Sequence, residues 1–226
     1  MRTTLLYTLV VNALNLSLGL LVAHLLNRPL FLRGLWRSLI LLPWVVPSYV
    51  VGLLWGFMWL KEGVINHLLV DVLGLLPQKP HWLIGPLTFV AIVLPTVWRS
   101  WPFVMVTYLA ALQAIPQELY EAAMVDGATP FQAFHRVILP LALPGLAATA
   151  VYIFLTAWDE LLFAQVLTTE ATATIPVGIR NFVGNYQNRY DLVMAAATVA
   201  TLPVLVVFFF AQRQLIQGLT AGAVKG

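Results

Sequence analysis

The sequence predicts an all-α integral membrane protein, a bundle of about five transmembrane helices carrying a polar helical hairpin outside the lipid. Three observations predict it. Of the 226 residues, 61% are hydrophobic and 9% charged, against roughly 25% charged in an ordinary soluble domain. Five apolar stretches, residues 5–26, 35–60, 87–112, 139–167 and 192–211, each reach the ~20 residues that a helical span needs. They are too long and continuous for barrel strands, and only helices or closed barrels satisfy the backbone within lipid. Between the third and fourth lies Glu121 to Pro140, EAAMVDGATPFQAFHRVILP, which is too polar to cross a bilayer.

The first stretch reads as a retained span, because it exceeds a signal peptide's core and lacks a convincing small-residue cleavage site. Asn12, Asn15, Gly19 and Ala23 give it a narrow polar and small-residue face. That face suits close helix packing, with pore lining as the other reading. The next loop, NRPLFLRGLWR, holds Arg28, Arg33 and Arg37 and is placed in the cytoplasm by the positive-inside rule. Alternation then puts residues 61–86 outside, 113–137 inside, 168–191 outside and the C-terminal tail, 213–226, inside. Six cations fall inside (Arg28, Arg33, Arg37, Arg136, Arg213, Lys225) and five outside (Arg2, Lys61, Lys79, Arg180, Arg189), so the first loop sets the orientation. Five spans leave Met1 outside. The net charge of +3 and pI near 9.4 reflect cations that flank spans as interfacial anchors, which argues against a nucleic-acid surface. The absence of cysteine excludes disulfide frameworks and thiolate metal sites.

Pro43 and Pro47 in the second stretch, and Pro95 and Pro102 in the third, predict kinked helices. The outer segment KEGVINHLLVDVLGLL is short and amphipathic and is expected to lie on the membrane surface, with Trp82 marking the interface again. The second outer loop, TTEATATIPVGIRNFVGNYQNRYD, is polar, aromatic and glycine-containing, a composition that suits recognition.

Arg99, near the middle of the third span, is costly enough at that depth to be a functional candidate. Asp159 and Glu160 in the fourth span lie within about one helical turn of its depth. Three readings stay open for this group: an intramembrane ion pair, lining of a water-filled substrate path, and snorkelling of the acids to the interface. No HExxH, GxSxG or phosphate-binding glycine loop occurs. His24, His67, His81 and His135 are scattered and no metal site is expected.

The hairpin, residues 116–137, has its own local logic. Pro116 is suited to the first helical position and Glu118 to the first turn, where the helix dipole favours an acid. Gly127, after Asp126, can take the left-handed conformation that closes a helix. Thr129, Pro130 and Gln132 then read as a new start with a capping box. Leu119, Tyr120, Met124, Phe131 and Phe134 are left needing cover from something outside the lipid.

This stretch resembles the EAA loop of permease subunits of binding-protein-dependent ABC importers: EAA, three residues, Gly, nine residues, Ile, any residue, Leu-Pro. Glu121, Ala122, Ala123, Gly127, Leu139 and Pro140 match in register, and Val137 stands where the pattern has Ile. The resemblance implies a cytoplasmic coupling helix docked on an ATP-binding subunit, with Glu121, Ala122, Ala123, Asp126, Gly127, Leu139 and Pro140 in that contact. It extends along the chain toward sugar permeases of the maltose type, through LLPWVVPSYVVGLLWGFMW with GVIN, WPFVMVTYLAALQAIPQELYEAA, WDELLFAQVLT and TIPVGIRNFVG. The end, QRQLIQGLTAGAVKG, is similar to a tail that inserts between the ATP-binding subunits. It implies a second contact through Gly218, Leu219, Thr220, Gly222, Lys225 and Gly226. Thr172 to Asn188 would match a periplasmic segment that reaches into the binding protein's cleft, or else be an ordinary polar loop.

The resemblance thus implies a non-enzymatic permease in a bacterial or archaeal plasma membrane, forming a single transmembrane domain over residues 1–226. Its partners would be a second permease subunit, two ATP-binding subunits, an extracytoplasmic solute-binding protein and membrane lipid. ATP and Mg would be bound by the ATPase, with no cofactor in this chain. Two departures limit the likeness. Family members carry a further span before the first one here, with the N-terminus inside, so the chain is either a five-span variant or lacks its natural beginning. The GVIN segment looks like one member of a permease pair and the tail like the other, so no sugar-binding residue is carried over. The competing classes are an ABC permease for a non-sugar solute, an ATP-independent carrier using Arg99 with Asp159 or Glu160 as a charge relay, and a membrane-embedded enzyme, for which the chain offers no nucleophile, base or metal set.

Overall fold

The computed structural model describes residues 1–28, 30–184 and 189–223, with backbone alone at 215 and from 217 onward. The described chain is helical, in the order α1 (Arg2–Leu26), α2 (Arg33–Val45), α3 (Ser48–Met58), α4 (Val64–Asn66), α5 (Thr88–Gln113), α6 (Gln117–Val125), α7 (Pro130–Ala133), α8 (Leu139–Trp158), α9 (Leu162–Leu167), α10 (Ile175–Asn181) and α11 (Tyr190–Ala223). Four helices are long and apolar enough to cross a membrane, or five if α2 and α3 together make one span. This agrees with the predicted all-α bundle.

The small-residue face of α1 packs. A Cβ placed on Gly19 would lie 2.5 Å from Val104 Cγ1 and 3.1 Å from the Met105 backbone nitrogen, so α5 approaches as closely as a bare backbone permits. Several polar groups of this face find partners on α5 and α8, while Thr8 Oγ1, Asn12 Oδ1 and Asn15 Nδ2 are buried without one among the described residues. Ser100 Oγ donates to Asn15 Oδ1 at 3.1 Å, the Tyr7 and Thr96 hydroxyls meet at 2.9 Å, and Asn12 Nδ2 reaches the Ala150 carbonyl of α8 at 3.3 Å. Two apolar clusters result. One, around Tyr7, Val51, Val97 and Phe163, fills one end of the bundle, and the other, around Ala23, Met105, Leu112 and Ile138, fills the end that carries the hairpin.

The prolines act unequally. The second predicted span is two helices that meet at 87° across Val46 and Pro47. Pro47 has no N–H and forces Val46 into an extended conformation, with ψ 131°. Pro43 is absorbed within α2, and α5 runs unbroken through Pro95 and Pro102. Pro95 deprives the Ala91 carbonyl of its helical partner, and the Trp59 indole N–H donates to it at 3.1 Å.

Three predicted boundaries are corrected. The spanning helix of the fourth stretch ends at Trp158, and α9 is a separate helix packed against α3, because the acids at 159–160 interrupt the apolar run. Residues Pro130–Trp158 also form one 29-residue helix, through a wider π-helical turn at Phe134–Ile138, so the second arm of the hairpin and the fourth span are continuous. The fifth span likewise runs on into the tail as α11.

The outer segment folds over a buried asparagine. Asn66 Nδ2 donates to the Lys61 and Pro80 carbonyls, both at 3.0 Å, and Trp82 Nε1 donates to its Oδ1 at 2.7 Å. Beside it, hydrogen bonds from His67 and then Lys79 hold the Asp71 carboxyl below its usual range. Leu68, Val72 and Leu75 stay exposed, in keeping with a segment lying on a membrane surface.

The α1–α5 seam predicts that Gly19→Val destabilises the protein by about 1–3 kcal/mol, the usual cost of overpacking. Val104→Ala in the same chain should recover part of that loss in thermal unfolding of the detergent-solubilised protein. Full stability of the single variant would show that the helices are free to separate.

Candidate functional site

The hairpin is built from two local caps. Pro116 stands just before α6, one residue earlier in the helix than predicted, and Glu118 occupies the first turn. At the other end Gly127 takes φ +84°. Its N–H bonds the Met124 carbonyl at 3.1 Å, and the Ala128 N–H reaches back to the Ala123 carbonyl at 3.0 Å. These two bonds form a Schellman closure, which only a residue tolerant of positive φ completes without strain. Thr129 then opens α7 with the predicted capping box: its Oγ1 accepts from the Gln132 N–H at 3.3 Å, and its own N–H donates to Gln132 Oε1 at 2.9 Å. Glu121 faces solvent and accepts from Gln117 Nε2 at 3.0 Å.

Of the five side chains predicted to need cover, two find it within the chain. Phe134 packs its ring 5.0 Å from His24 of α1, and Tyr120 is half-buried, its hydroxyl pushed up by burial while nearby Arg28 acts in the opposite sense. Leu119, Met124 and Phe131 remain exposed, and Val125, missed by the sequence reading, is exposed most of all at 86%. Between the hairpin and the end of α1 lies a groove of ≈ 1240 Å³, lined by Arg28, Pro116, Tyr120, Glu121, Met124 and Phe131 among others. Leu139 and Pro140 stand apart from the tip, about 14 Å along the rod that begins at Pro130.

Arg99 makes no direct ion pair with Asp159 or Glu160 among the described residues, although its charge lies within Coulombic reach of Glu160. Its Nε donates to the Val46 carbonyl at 3.1 Å, at the break between α2 and α3. Glu160 Oε1 accepts from the Phe163 N–H at 2.9 Å and so caps α9. Asp159 lines a smaller cavity of ≈ 330 Å³ at the opposite end from the hairpin, with Trp158, Ile179 and Arg180. In the second outer loop α10 is ordered by Thr4, whose hydroxyl accepts from the Ile175 N–H at 2.8 Å. Residues 185–188 of that loop lie outside the described residues. So do Lys225 and Gly226, while Gly218, Leu219, Thr220 and Gly222 belong to the α11 backbone. No group of three or more His, Asp or Glu among the described residues could hold a metal ion.

One feature escaped the sequence. Trp44 of α2, Phe103 of α5 and Tyr152 of α8 form a row, with ring centroids 5.4 and 4.8 Å apart. Trp44 and Tyr152 are 40% and 46% exposed. Nothing in the three apolar runs marks these residues, because the row exists only once three helices meet.

Comparison with known proteins bears on the whole assembly. The family described as "Binding-protein-dependent transport system inner membrane component" matches residues 15–221. The trehalose transport system permease protein SugB of Mycobacterium tuberculosis is 43% identical over 142 residues, 62% of this chain and 52% of that protein. The diacetylchitobiose uptake system permease protein DasC of Streptomyces coelicolor is 44% identical over 126 residues, 55% of this chain and 46% of that one. The trehalose/maltose transport system permease protein MalF of Thermococcus litoralis is 36% identical over 199 residues, 87% and 66% of the two chains. The chain thus spans about half the length of the first two relatives. A chain in the crystal structure of a bacterial alginate ABC transporter, solved with an alginate pentasaccharide-bound periplasmic protein, superposes with a TM-score of 0.79 at 26% identity, covering 93% of this chain and 75% of that one. With its capped EAA hairpin, its apolar bundle and a family match over residues 15–221, the chain belongs to the inner membrane components of binding-protein-dependent transport systems.

Proposed function

We propose that this chain is the membrane-spanning permease subunit of an ABC importer that takes up a carbohydrate, and that it is driven through its hairpin by a separate ATP-binding subunit. The observation that carries the proposal is the continuity of Pro130–Trp158. A push on the exposed hairpin is delivered along one helix, about 44 Å long by helical rise, to the cavity beside Trp158 and Asp159. The partner's contact would be the groove together with Met124, Val125 and Phe131, a helix-in-groove mode of recognition. Glu121 would add an exposed charge to that contact and Gly127 the turn that presents it. ATP and Mg would reside in the partner.

The remaining assembly follows the same reading: a second permease, two ATP-binding subunits and an extracytoplasmic solute-binding protein, in a plasma membrane with the hairpin and tail on the cytoplasmic side. The tail from Gly218 would be a second ATPase contact. Carbohydrate is favoured as cargo by the relatives, whose names refer to trehalose, maltose and diacetylchitobiose. The aromatic row is consistent with it, since the C–H faces of sugar rings stack on Trp, Phe and Tyr. The carrier reading loses ground because the chain belongs to the inner membrane components of binding-protein-dependent transport systems.

Two outcomes are expected. Phe131→Ala, at a 73% exposed position, should leave folding intact and weaken ATPase binding by about 2 kcal/mol, the scale of an interface hot spot. Gly127→Val should abolish coupling by straining the closure. Pull-down of the ATP-binding subunit and sugar-stimulated ATPase in proteoliposomes read both, and full transport by either variant would reject the hairpin's role. Trp44→Ala or Tyr152→Ala should raise the half-saturating concentration of the transported disaccharide roughly fivefold, as expected for loss of about 1 kcal/mol of stacking. Unchanged uptake kinetics would remove the row from the substrate path.

A further inference from the structure

The hairpin end of the bundle carries a pair of arginines that the chain does not neutralise. Arg33 opens α2 and Arg37 follows four residues on, so the two share a helix face. No acid stands in the first turn of that helix, and neither arginine is in an ion pair among the described residues. The positive end of the helix dipole lies at the same place and adds to the imbalance. Arg37 is the sharper case. Its Nε and Nη2 are shut off from solvent and have no hydrogen-bond partner among the described residues. A buried guanidinium N–H left unbonded is costly, and an orphan of this kind calls for a partner.

The surroundings narrow what that partner is. Phe31, Leu35, Trp36 and Leu39 on either side are 86%, 52%, 52% and 47% exposed, and aromatic and basic side chains at the end of an apolar helix are the composition of a membrane interface. The turn into α2 is held by Leu32 at φ +56°, the one non-glycine residue with positive φ among those described. Bulky residues persist there only where the surroundings compensate. Guanidinium forks match the oxygens of a phosphate in pairs.

We propose that Arg33 and Arg37 bind the phosphate of an anionic phospholipid at the hairpin end of the bundle, the Arg37 side chain turning outward so that its Nε and Nη2 leave their unbonded burial and donate to the phosphate oxygens. The site is separate from the hairpin groove and does not depend on the cargo.

The test uses the purified full chain in detergent, with phosphatidylglycerol, phosphatidylcholine and inorganic phosphate as probes and native mass spectrometry counting retained lipid. Phosphatidylglycerol should be retained in preference to phosphatidylcholine. Arg37→Gln should weaken retention roughly fivefold and the Arg33→Gln, Arg37→Gln double variant about thirtyfold, the scale for basic side chains at a membrane surface. Arg37→Lys, which keeps the charge, should retain more than Arg37→Gln, and Arg136→Gln on the hairpin should behave as the unaltered chain. Equal retention of the two lipids, or undiminished retention by the double variant, overturns the proposal. Displacement of the lipid by millimolar inorganic phosphate would also overturn it, making this a free-anion site, as would loss of the lipid on assembly with partner subunits, which would assign the arginines to a protein carboxylate. Should the double variant aggregate, the preference of the unaltered chain and the Arg37→Lys comparison decide alone.

Discussion

A backbone carbonyl or N–H freed inside a bilayer finds no water, and this bundle is arranged around that constraint. At three interruptions described above, a side chain from elsewhere in the sequence, or from the flank of the break itself, is bonded to a group the helix gave up. Trp59 reaches the Ala91 carbonyl opposite Pro95, Arg99 reaches the Val46 carbonyl beside Pro47, and Glu160 accepts the Phe163 N–H where α8 gives way to α9. These bonds fix where the helices can bend. They also bring charge and indole N–H groups into the apolar interior without leaving them unpaired, and an unpaired group there would cost more than the bond contributes.

The same constraint separates the parts of the chain that can move from those that cannot. The α1–α5 seam is closed by Gly19 against Val104 and by paired hydroxyls and amides, and a packed seam of that kind shifts only as a unit. By contrast, the hairpin is held by bonds within itself. The closure at Gly127 and the capping box at Thr129 need no neighbour, so the turn keeps its shape while its apolar side chains stay available. Phe134 is anchored to α1 through His24, while Leu119, Met124, Val125 and Phe131 are left facing outward. That division suits a coupling element, which must belong to the membrane domain and still offer a surface.

Much of this was legible in the residues, and the limits have physical causes. The capping box at Thr129, the left-handed Gly127 and the small face of α1 are local patterns whose partners lie within a turn or on one helix face, so spacing alone identifies them. The 87° break was only half visible: two prolines four apart predict a bend, but one is absorbed in α2 and the other is not, because only at Pro47 does a cation from α5 stand ready to take up the exposed carbonyl. The end of α8 at Trp158 was missed because Leu161 to Leu167 continues the apolar run, and hydropathy registers composition while a carboxylate cap registers direction. The aromatic row was invisible for a different reason, since its three members come from three helices and acquire a common face only by packing.

The rod from Pro130 to Trp158 joins these features into one mechanical element. At one end it begins at a capping box one residue beyond a glycine-tolerant turn, and at the other it stops at two acids, of which Glu160 serves the next helix. The caps at both ends are short-range, while the rod is also tied across helices along its length, to α1 through Asn12 with Ala150, to α5 through Thr149 with Thr107 and to α11 through Trp158 with Ala200. A force at the hairpin therefore finds compliance at residues 126–128 and 159–161 and resistance between them. On the proposed coupling, the stiff rod would carry a displacement of the hairpin groove to the cavity by Asp159. A coupling element of the proposed kind needs such a rod, and here its stiffness follows from where the backbone bonds are satisfied locally and where side chains tie it across helices.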